Sequence, residues 1–363
     1  MRKADTVLVT GGAGFIGSAL STYLVDNFSS VIAVDNLLPQ VHPTGEPAFG
    51  FNSGVDLVIG DITEPTLWDT LLSKVKPSLI IHLAAETGTG QSLKESTRHT
   101  MVNIVGTSMM LDKLYQHGAI PERILLCSSR AVYGEGAWTN KSSNGADKVF
   151  YPRMRTRQML ENKQWDFPNA LPLPMNAQKV KVSPESVYGV TKLAQENLLT
   201  LWADAFSVDL SILRLQNVYG VGQTPENPYT GIMSLFTKLA RAGKTIPLFE
   251  DGQVRRDFIY IDDVIAACIA ALENKEKLPS PIDIGSGSYT TIQEAGEIIA
   301  QIYGAPLPQV TGEYRHGDVR HAWADPALAQ KYLDFQAKVT FTEGIKQLAR
   351  WMDSLAESNG VGK

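Results

Sequence analysis

Tyr188 and Lys192, in the run Tyr188-Gly189-Val190-Thr191-Lys192, are a phenol and an ammonium at a spacing that could make a base. A free tyrosine titrates at about pH 10, so unaided it is a poor base at neutral pH. A cation held nearby favours the phenolate and lowers that value. On a helix, residues four apart share a face, which lets Lys192 reach beneath Tyr188. Such a base suits taking a proton from a hydroxyl while hydride leaves the same carbon. The spacing fits an ordinary solvated helix face as well, so the pair needs support from the rest of the chain.

A hydride needs an acceptor, and the N-terminal segment supplies a place for one. Gly11-Gly12-Ala13-Gly14-Phe15-Ile16-Gly17 follows an apolar run and opens a helix-like stretch in which Phe15 and Ile16 are the first apolar residues. Glycines here permit a tight turn, close backbone approach to a pyrophosphate and close helix–strand contact. The helix start adds unpaired N–H groups and a positive dipole end. The strand-loop-helix setting favours dinucleotide binding over a merely structural turn. Asp35-Asn36 ends the second strand-like run, where a carboxylate can accept hydrogen bonds from ribose hydroxyls and repel a 2′-phosphate. No arginine follows immediately, so NAD is expected rather than NADP. Asp61-Ile62 is placed to meet the adenine, although Asp61 could equally cap a helix or form a turn. In His82-Leu83-Ala84-Ala85, small residues let a dinucleotide pass, and His82 reads as a core or supporting residue.

These residues must be positioned by the elements between them. Thr6–Val9, Val31–Val34, Leu57–Ile59, Leu79–Leu83, Ile124–Cys127 and Ser211–Leu215 are short apolar runs that suit strands buried on both faces. Helical patterns lie between them at Ile16–Asn27, Thr66–Lys74, Val102–His117 and Val190–Phe206. The alternation predicts an α/β fold with a doubly wound parallel (Rossmann) sheet. From about residue 218 the segments shorten and become rich in Gly, Pro and Asn, which predicts a smaller mixed α/β lobe. The expected division is residues 1–217 for the cofactor and 218–363 for the substrate, with some strands and helices returning to the first domain. Residues 135–183 break the alternation. Loops this long are usually functional or disordered. There Lys141, Lys148, Arg153, Arg155, Arg157, Lys163, Lys179 and Lys181 outnumber Asp147, Glu161 and Asp166. Such an insert could clamp a phosphorylated substrate, or be a surface insertion with a small fold of its own.

The composition narrows the partners. A net charge of −5 over 363 residues argues against nucleic acid. Two cysteines, Cys127 and Cys268, make neither a disulfide framework nor a zinc quartet and fit a reducing, cytoplasmic setting. The opening Met1-Arg2-Lys3-Ala4-Asp5 leads straight into a strand-like run, so neither a signal segment nor a membrane partner is expected. His316 and His321 are not at convincing ligand spacing, and no metal site is expected.

Taken together, these motifs resemble the extended short-chain dehydrogenase/reductase family, in particular its nucleotide-sugar epimerases and dehydratases. The resemblance also takes in Ser128-Ser129-Arg130-Ala131-Val132-Tyr133-Gly134, Arg214-Leu215-Gln216-Asn217-Val218-Tyr219-Gly220, Arg255-Arg256-Asp257-Phe258 and Arg315-His316-Gly317-Asp318-Val319-Arg320. It implies a catalytic set of Ser129, Tyr188 and Lys192, with Ser129 hydrogen-bonding the reacting oxygen. Asn103 would lie beneath the cofactor or an active-site water, unless it serves helix packing. Thr89, Ser129, Arg130, Asn217, Arg256 and Arg315 would hold a nucleoside-diphosphate sugar, arginine being suited to bidentate phosphate contact. Arg256 could instead form a surface ion pair with Asp257 or Asp251, and Arg320 fits the pattern less well. The family often dimerises through the helices that here are Val102–His117 and Tyr188–Phe206, which implies a homodimer.

The reaction is narrowed by an absence. Relatives that eliminate water or carbon dioxide carry an acid just before the Val of Val-Tyr-Gly, where this chain has Ala131. Cys127 precedes the serines and does not match the cysteine of keto-sugar 3,5-epimerases. Epimerisation at C4 needs only Ser129, Tyr188, Lys192 and held NAD. A narrower resemblance, carried by Ala85-Glu86-Thr87-Gly88-Thr89-Gly90-Gln91-Ser92, Ser128–Gly136 and the insert up to Pro184–Lys192, is to the bacterial dTDP-L-rhamnose 4-epimerases, which make dTDP-6-deoxy-L-talose. Inserts in that group can carry cysteine pairs; this one has none. A UDP-hexose 4-epimerase, an NADP-dependent nucleotide-ketosugar reductase and a non-catalytic NAD-binding regulator are the other readings.

Overall fold

The computed structural model describes residues 5–140, 148–225 and 231–360. Lys141 and Asp147 of the insert and the segment 1–4 lie outside the described residues.

A central sheet is built from β1 (Thr6–Thr10), β2 (Ser30–Asp35), β3 (Asp56–Ile59), β4 (Leu79–His82), β5 (Arg123–Ser129), β6 (Asp209–Leu215) and β7 (Ile282–Ile284). Its seven strands run in the order β7-β6-β5-β4-β1-β2-β3, and every pairing is parallel. Val, Ile and Leu fill both faces, and two apolar cores result. One gathers Val7, Val9, Leu20 and Leu24 with Val264 and Cys268. The other gathers Leu8, Ile80 and Ile124 with Trp68, Met110 and Leu199. The strand order reverses between β1 and β4, and ligands of open α/β sheets bind at such switch points, beyond the strands' carboxyl ends.

The helices follow the sequence reading with instructive departures. Helix α1 spans Phe15–Asn27 and α2 spans Pro65–Leu72. The predicted helix from Val102 is divided: Met101–Gly106 is π-helical, and the α-helix proper is α3, Thr107–Gln116. Helix α4, Val187–Phe206, starts before the predicted Val190 because the Ser186 side chain caps it, accepting from Gly189 N at 3.0 Å. Tyr188 therefore sits in the first helical turn. Strand β7 was not anticipated individually; its short Ile-Asp-Ile run pairs with Leu213–Leu215 of β6.

Beyond residue 217 the chain makes small sheets. Arg255–Arg256 lies between Thr290–Thr291 and His321–Ala322, and Asn217–Tyr219 pairs with Phe258–Tyr260. A third core of Phe236, Ile246, Phe258, Ile299 and Leu348 holds them to their helices.

The insert has a fold of its own. Trp138–Asn140 is the central strand of a three-stranded antiparallel sheet with Val149–Phe150 and Ala170–Pro172. Its net positive count is misleading, because key charges are paired internally or across the molecule. Arg155 is buried, and its guanidinium forks onto Glu250 at 2.8 and 2.9 Å. Arg320 is also buried and joins Glu250 at 2.9 Å, Asp251 at 2.8 Å and Asp166 at 3.0 Å. Arg155 and Arg320 thus rivet the insert to the later lobe. Removing one partner of a buried ion network strands the others. Arg155→Met should lower unfolding stability by about 3 kcal/mol, read from urea denaturation midpoints. A loss below about 1 kcal/mol, as for an exposed pair, would show that the network is not structural.

Candidate active site

The cofactor candidates converge at the β1/β4 switch point. Gly11, Gly14, Asp35, Asn36, Asp61, Ile62, Leu83, Ala84 and Ala85 line one cleft. Gly11 has φ +67°, and a Cβ there would stand 2.6 Å from Ala84 N, so only glycine lets the two loops meet. At Gly14 a Cβ would meet only the Gly11 carbonyl, at 3.3 Å, which leaves that flank of the nest open. Phe15, Ile16 and Gly17 form the first turn of helix α1, directly after Gly14. Phe15 and Ile16 turn their side chains into the apolar cores, and what the segment offers a phosphate is the free backbone N–H groups of the first helical turn.

Asp35 is anchored by Ala13 N at 3.1 Å and Leu37 N at 3.0 Å, one on each oxygen, and still faces the cleft. Asp61 combines two readings: it lines the cleft and also forms a turn, accepting from Thr63 N at 2.9 Å and Thr63 Oγ1 at 2.7 Å. Burial pushes its carboxyl up, but these bonds and one from Asn36 leave it below its ordinary value. A glycine nest that opens onto a cleft ending in an anchored carboxylate fits a dinucleotide. His82 is a core residue. It lies 2.6 Å from Thr10 Oγ1 and 3.0 Å from Thr107 Oγ1, and burial pushes it down to about 3, so it stays neutral.

The Asn103 amide is buried among protein partners. It accepts from Glu86 N at 2.7 Å and donates to Glu86 O at 3.0 Å and Thr191 Oγ1 at 2.9 Å. It ties the loop after β4 to helix α4 from within the π-helical turn.

Ser129, at the end of β5, stands close enough to the Tyr188 phenol to pull its pKa down against burial. The Tyr188 backbone is fixed by its N–H donating to Ser92 Oγ at 3.0 Å, and Ser92 in turn donates to Thr89 O at 2.8 Å. Lys192 lies one turn further along and is almost fully buried. Its Nζ donates to Cys127 O at 2.9 Å and Gln195 Oε1 at 2.5 Å. Burial pushes the ammonium down to about 8, against the pull of nearby Cys127 and Glu196. The expected lowering of Tyr188 by Lys192 is not what the protein alone displays. Burial raises the phenol, and the opposing influences are Ser129 and the Arg130 charge. Lys192 is turned toward the β5 carbonyl edge instead.

The substrate candidates are only partly assembled. Arg130 Nε donates to Asn217 Oδ1 at 2.8 Å, which joins two of them. Burial, and then the charge of Arg256, lower Arg130 to about 10. Two cations pressed together this way gain from an anion between them. Arg256 is not in the surface pair considered for it; its Nη groups donate to the carbonyls of Arg255, Val319 and Arg320, with Asp318 at 3.3 Å. Arg315 is exposed, over the Phe249 ring at 5.2 Å. Among the described residues no cluster of three metal-binding side chains occurs.

Three residues escaped the sequence reading. Gln195 and Glu196 follow Lys192 at helical spacing, which was the available signal, and both are buried against strand ends. His42 also lines the cofactor cleft; it lies in a Pro- and Gly-rich loop with no periodicity to mark it.

Comparison with known proteins agrees with this geometry. The model of the NAD dependent epimerase/dehydratase family matches residues 7–155 and 167–285. The chain is 50% identical to a dTDP-L-rhamnose 4-epimerase of Burkholderia thailandensis over 95% of this chain and 94% of the relative. UDP-glucose 4-epimerase of Thermotoga maritima, solved with UDP-glucose, superposes with a TM-score of 0.77 at 27% identity, over 97% of this chain and 99% of that one. UDP-glucuronic acid 4-epimerase of Bacillus cereus, solved with UDP-glucuronic acid and NAD, gives 0.74 at 26% identity, over 96% and 99%. With a family model running through the sheet, the glycine nest and helix α4, this chain belongs to the NAD dependent epimerase/dehydratase family.

Proposed function

We propose that this NAD-dependent nucleotide-sugar 4-epimerase interconverts dTDP-L-rhamnose and dTDP-6-deoxy-L-talose. The observation that carries the reading is Ser129 set beside the Tyr188 phenol, with Lys192 buried one turn further along helix α4. Half identity with a dTDP-L-rhamnose 4-epimerase along nearly both whole chains supports the sugar. Residues 1–217 carry the cofactor and 218–363 contribute the substrate side, with β7 returning to the sheet.

Gly11, Gly14, Asp35, Asn36, Asp61, Ile62 and Leu83–Ala85 hold NAD, which when bound supplies the hydride acceptor and later the donor at C4. Tyr188 takes the C4 hydroxyl proton and Ser129 holds that oxygen as the carbonyl forms. The Arg130 charge favours the phenolate, and Lys192 adds positive potential from one turn below. The diphosphate lies toward Arg130, Asn217 and Arg256, with Arg315 closing from the surface and Thr89 beside the sugar. With the diphosphate fixed, the 4-keto ring turns over and presents its other face. Tyr188 then returns the proton.

The enzyme works as a homodimer in the cytoplasm. Met101, Tyr115, Val190 and Leu201 leave apolar side chains exposed on neighbouring helices, and the rings of Tyr115 and Phe206 link these helices at 5.4 Å. Cys127 and Cys268 are free, buried thiols, as a reducing compartment allows. Among the described residues no helix is long and apolar enough to cross a membrane.

Incubation with dTDP-L-rhamnose, UDP-glucose and UDP-glucuronic acid, followed by proton NMR, should show the C4 epimer of the rhamnose compound formed fastest. Tyr188→Phe should cut turnover at least about a hundredfold, within the range of one acid–base group, with NADH binding retained; near-normal turnover would remove Tyr188 from its role. Leu201→Glu should convert a dimer to a monomer in light scattering, and an unchanged mass would exclude this face. The Lys192 shift also has a definite sign. Below about pH 8 the folded and unfolded chains are both protonated and the desolvation cost is complete. From there to the unfolded value of 10.5 only the folded chain loses its proton, so stability rises with pH. Across that window the wild type should gain about 3 kcal/mol over Lys192→Met. Parallel stability curves would show that Lys192 is not desolvated.

A further inference from the structure

His42 faces Asp35 across the far end of the cofactor cleft, with nothing else assigned to it. The loop that brings it there is well tied. His42 N donates to Leu38 O at 2.8 Å, Gly45 N to His42 O at 3.0 Å, and Ala48 N reaches back to Ala13 O at 2.8 Å beside the glycine nest. The side chain is only 2% exposed.

Its two nitrogens have different partners. Nδ1 lies 2.8 Å from the Glu46 carbonyl oxygen, which can only accept, so Nδ1 carries the proton. In the neutral ring Nε2 is then an acceptor. It stands 3.7 Å from Asp35 Oδ1, too far for a direct hydrogen bond. Among the described residues no side chain or backbone group hydrogen-bonds Nε2. Two acceptors therefore converge on one point of the cleft wall, and that point calls for a donor between or beside them. Vicinal hydroxyls, each with one proton to give, match the need.

We propose that His42 Nε2 accepts a hydrogen bond from one hydroxyl of the adenosine ribose, while Asp35 accepts from the other. This deepens the reading of the cleft as an NAD site and rests on it. The Glu46 carbonyl fixes the tautomer, so the loop, rather than the sheet, sets half of the ribose recognition.

The test is binding, read by NADH fluorescence. His42→Asn keeps a donor where Nδ1 meets Glu46 but removes the acceptor at Nε2, so the loop tie survives and the ribose contact does not. It should weaken NADH binding by about tenfold, the scale of one hydrogen bond left unmade. His42→Gln, which can carry an acceptor to the Nε2 position, should recover most of that loss. With the wild type, 2′-deoxy- and 3′-deoxy-NADH should both bind less tightly; with His42→Asn, one of the two should bind as well as NADH itself. A purely structural role would weaken all three dinucleotides equally. His42→Asn binding NADH like the wild type, or losing the same factor with all three, would overturn the inference and leave the NAD reading intact. Failure of the wild type to bind NADH would overturn both.

Discussion

The site depends on how helix α4 buries polar side chains against the ends of the central strands. Lys192, Gln195 and Glu196 are all nearly inaccessible to solvent. Removing a buried charge from water costs several kcal/mol unless its hydrogen bonds are replaced. The replacements come from two strand ends, a neighbouring helix and a third strand. Lys192 uses the β5 carbonyl of Cys127. Gln195 bonds Thr107 at 3.0 Å and approaches His82 at the end of β4. Glu196 takes Ser128 on β5 and the fork of Arg214 on β6. Sliding the helix by one residue would break all of these at once. That penalty far exceeds the few tenths of a kcal/mol by which helix propensities differ. The register of Tyr188 with Ser129 follows from it, since Ser128 is held by Glu196 and Ser129 is the next residue. From Arg214 the chain of contacts runs on to Tyr133 and Asp283, so β7 is joined to the same arrangement.

The cofactor end is governed by backbone approach rather than by charge. Gly11 must touch Ala84, and the loop carrying His42 must close over Ala13, before a cleft exists. Sequence conveys such requirements through glycine and small residues. It is mute about which loop side chain completes the wall, because a loop held by its own carbonyls has no pattern to read.

The same division explains what was legible. Parallel strands buried on both faces are nearly continuous apolar runs, so β1 to β6 could be placed within about two residues. Strand β7 has only three residues in which to show a pattern. The π-helical turn at Met101–Gly106 has a tertiary cause, the Asn103 amide meeting Glu86 and Thr191. The insert's small fold was foreseen, but counting charges within it missed Glu250, which is 95 residues from its partner Arg155. Tyr188 shows the limit most clearly. A lysine four residues on is visible in sequence, but whether its ammonium turns to the phenol or to a strand carbonyl depends on packing. Here burial decides the direction, and it raises the phenol.

That raised phenol and the crowded arginines answer two demands of the proposed chemistry that would conflict at one place. A sugar that must turn over cannot be gripped by strong charges around its ring, yet it must not leave. The fixed positive charge is tied down beside the reacting pair, with Arg130 bound to Asn217 and Arg256 bound to carbonyls of the later lobe. An anion there would relieve the repulsion that, after burial, lowers Arg130, so in the proposed chemistry the tail is held where the protein is electrostatically incomplete. At the reacting end Ser129 and Tyr188 offer a sugar oxygen hydrogen bonds rather than a fixed cation. Such bonds are exchanged at a net cost of about 1 kcal/mol, small enough to be remade after each turn of the ring.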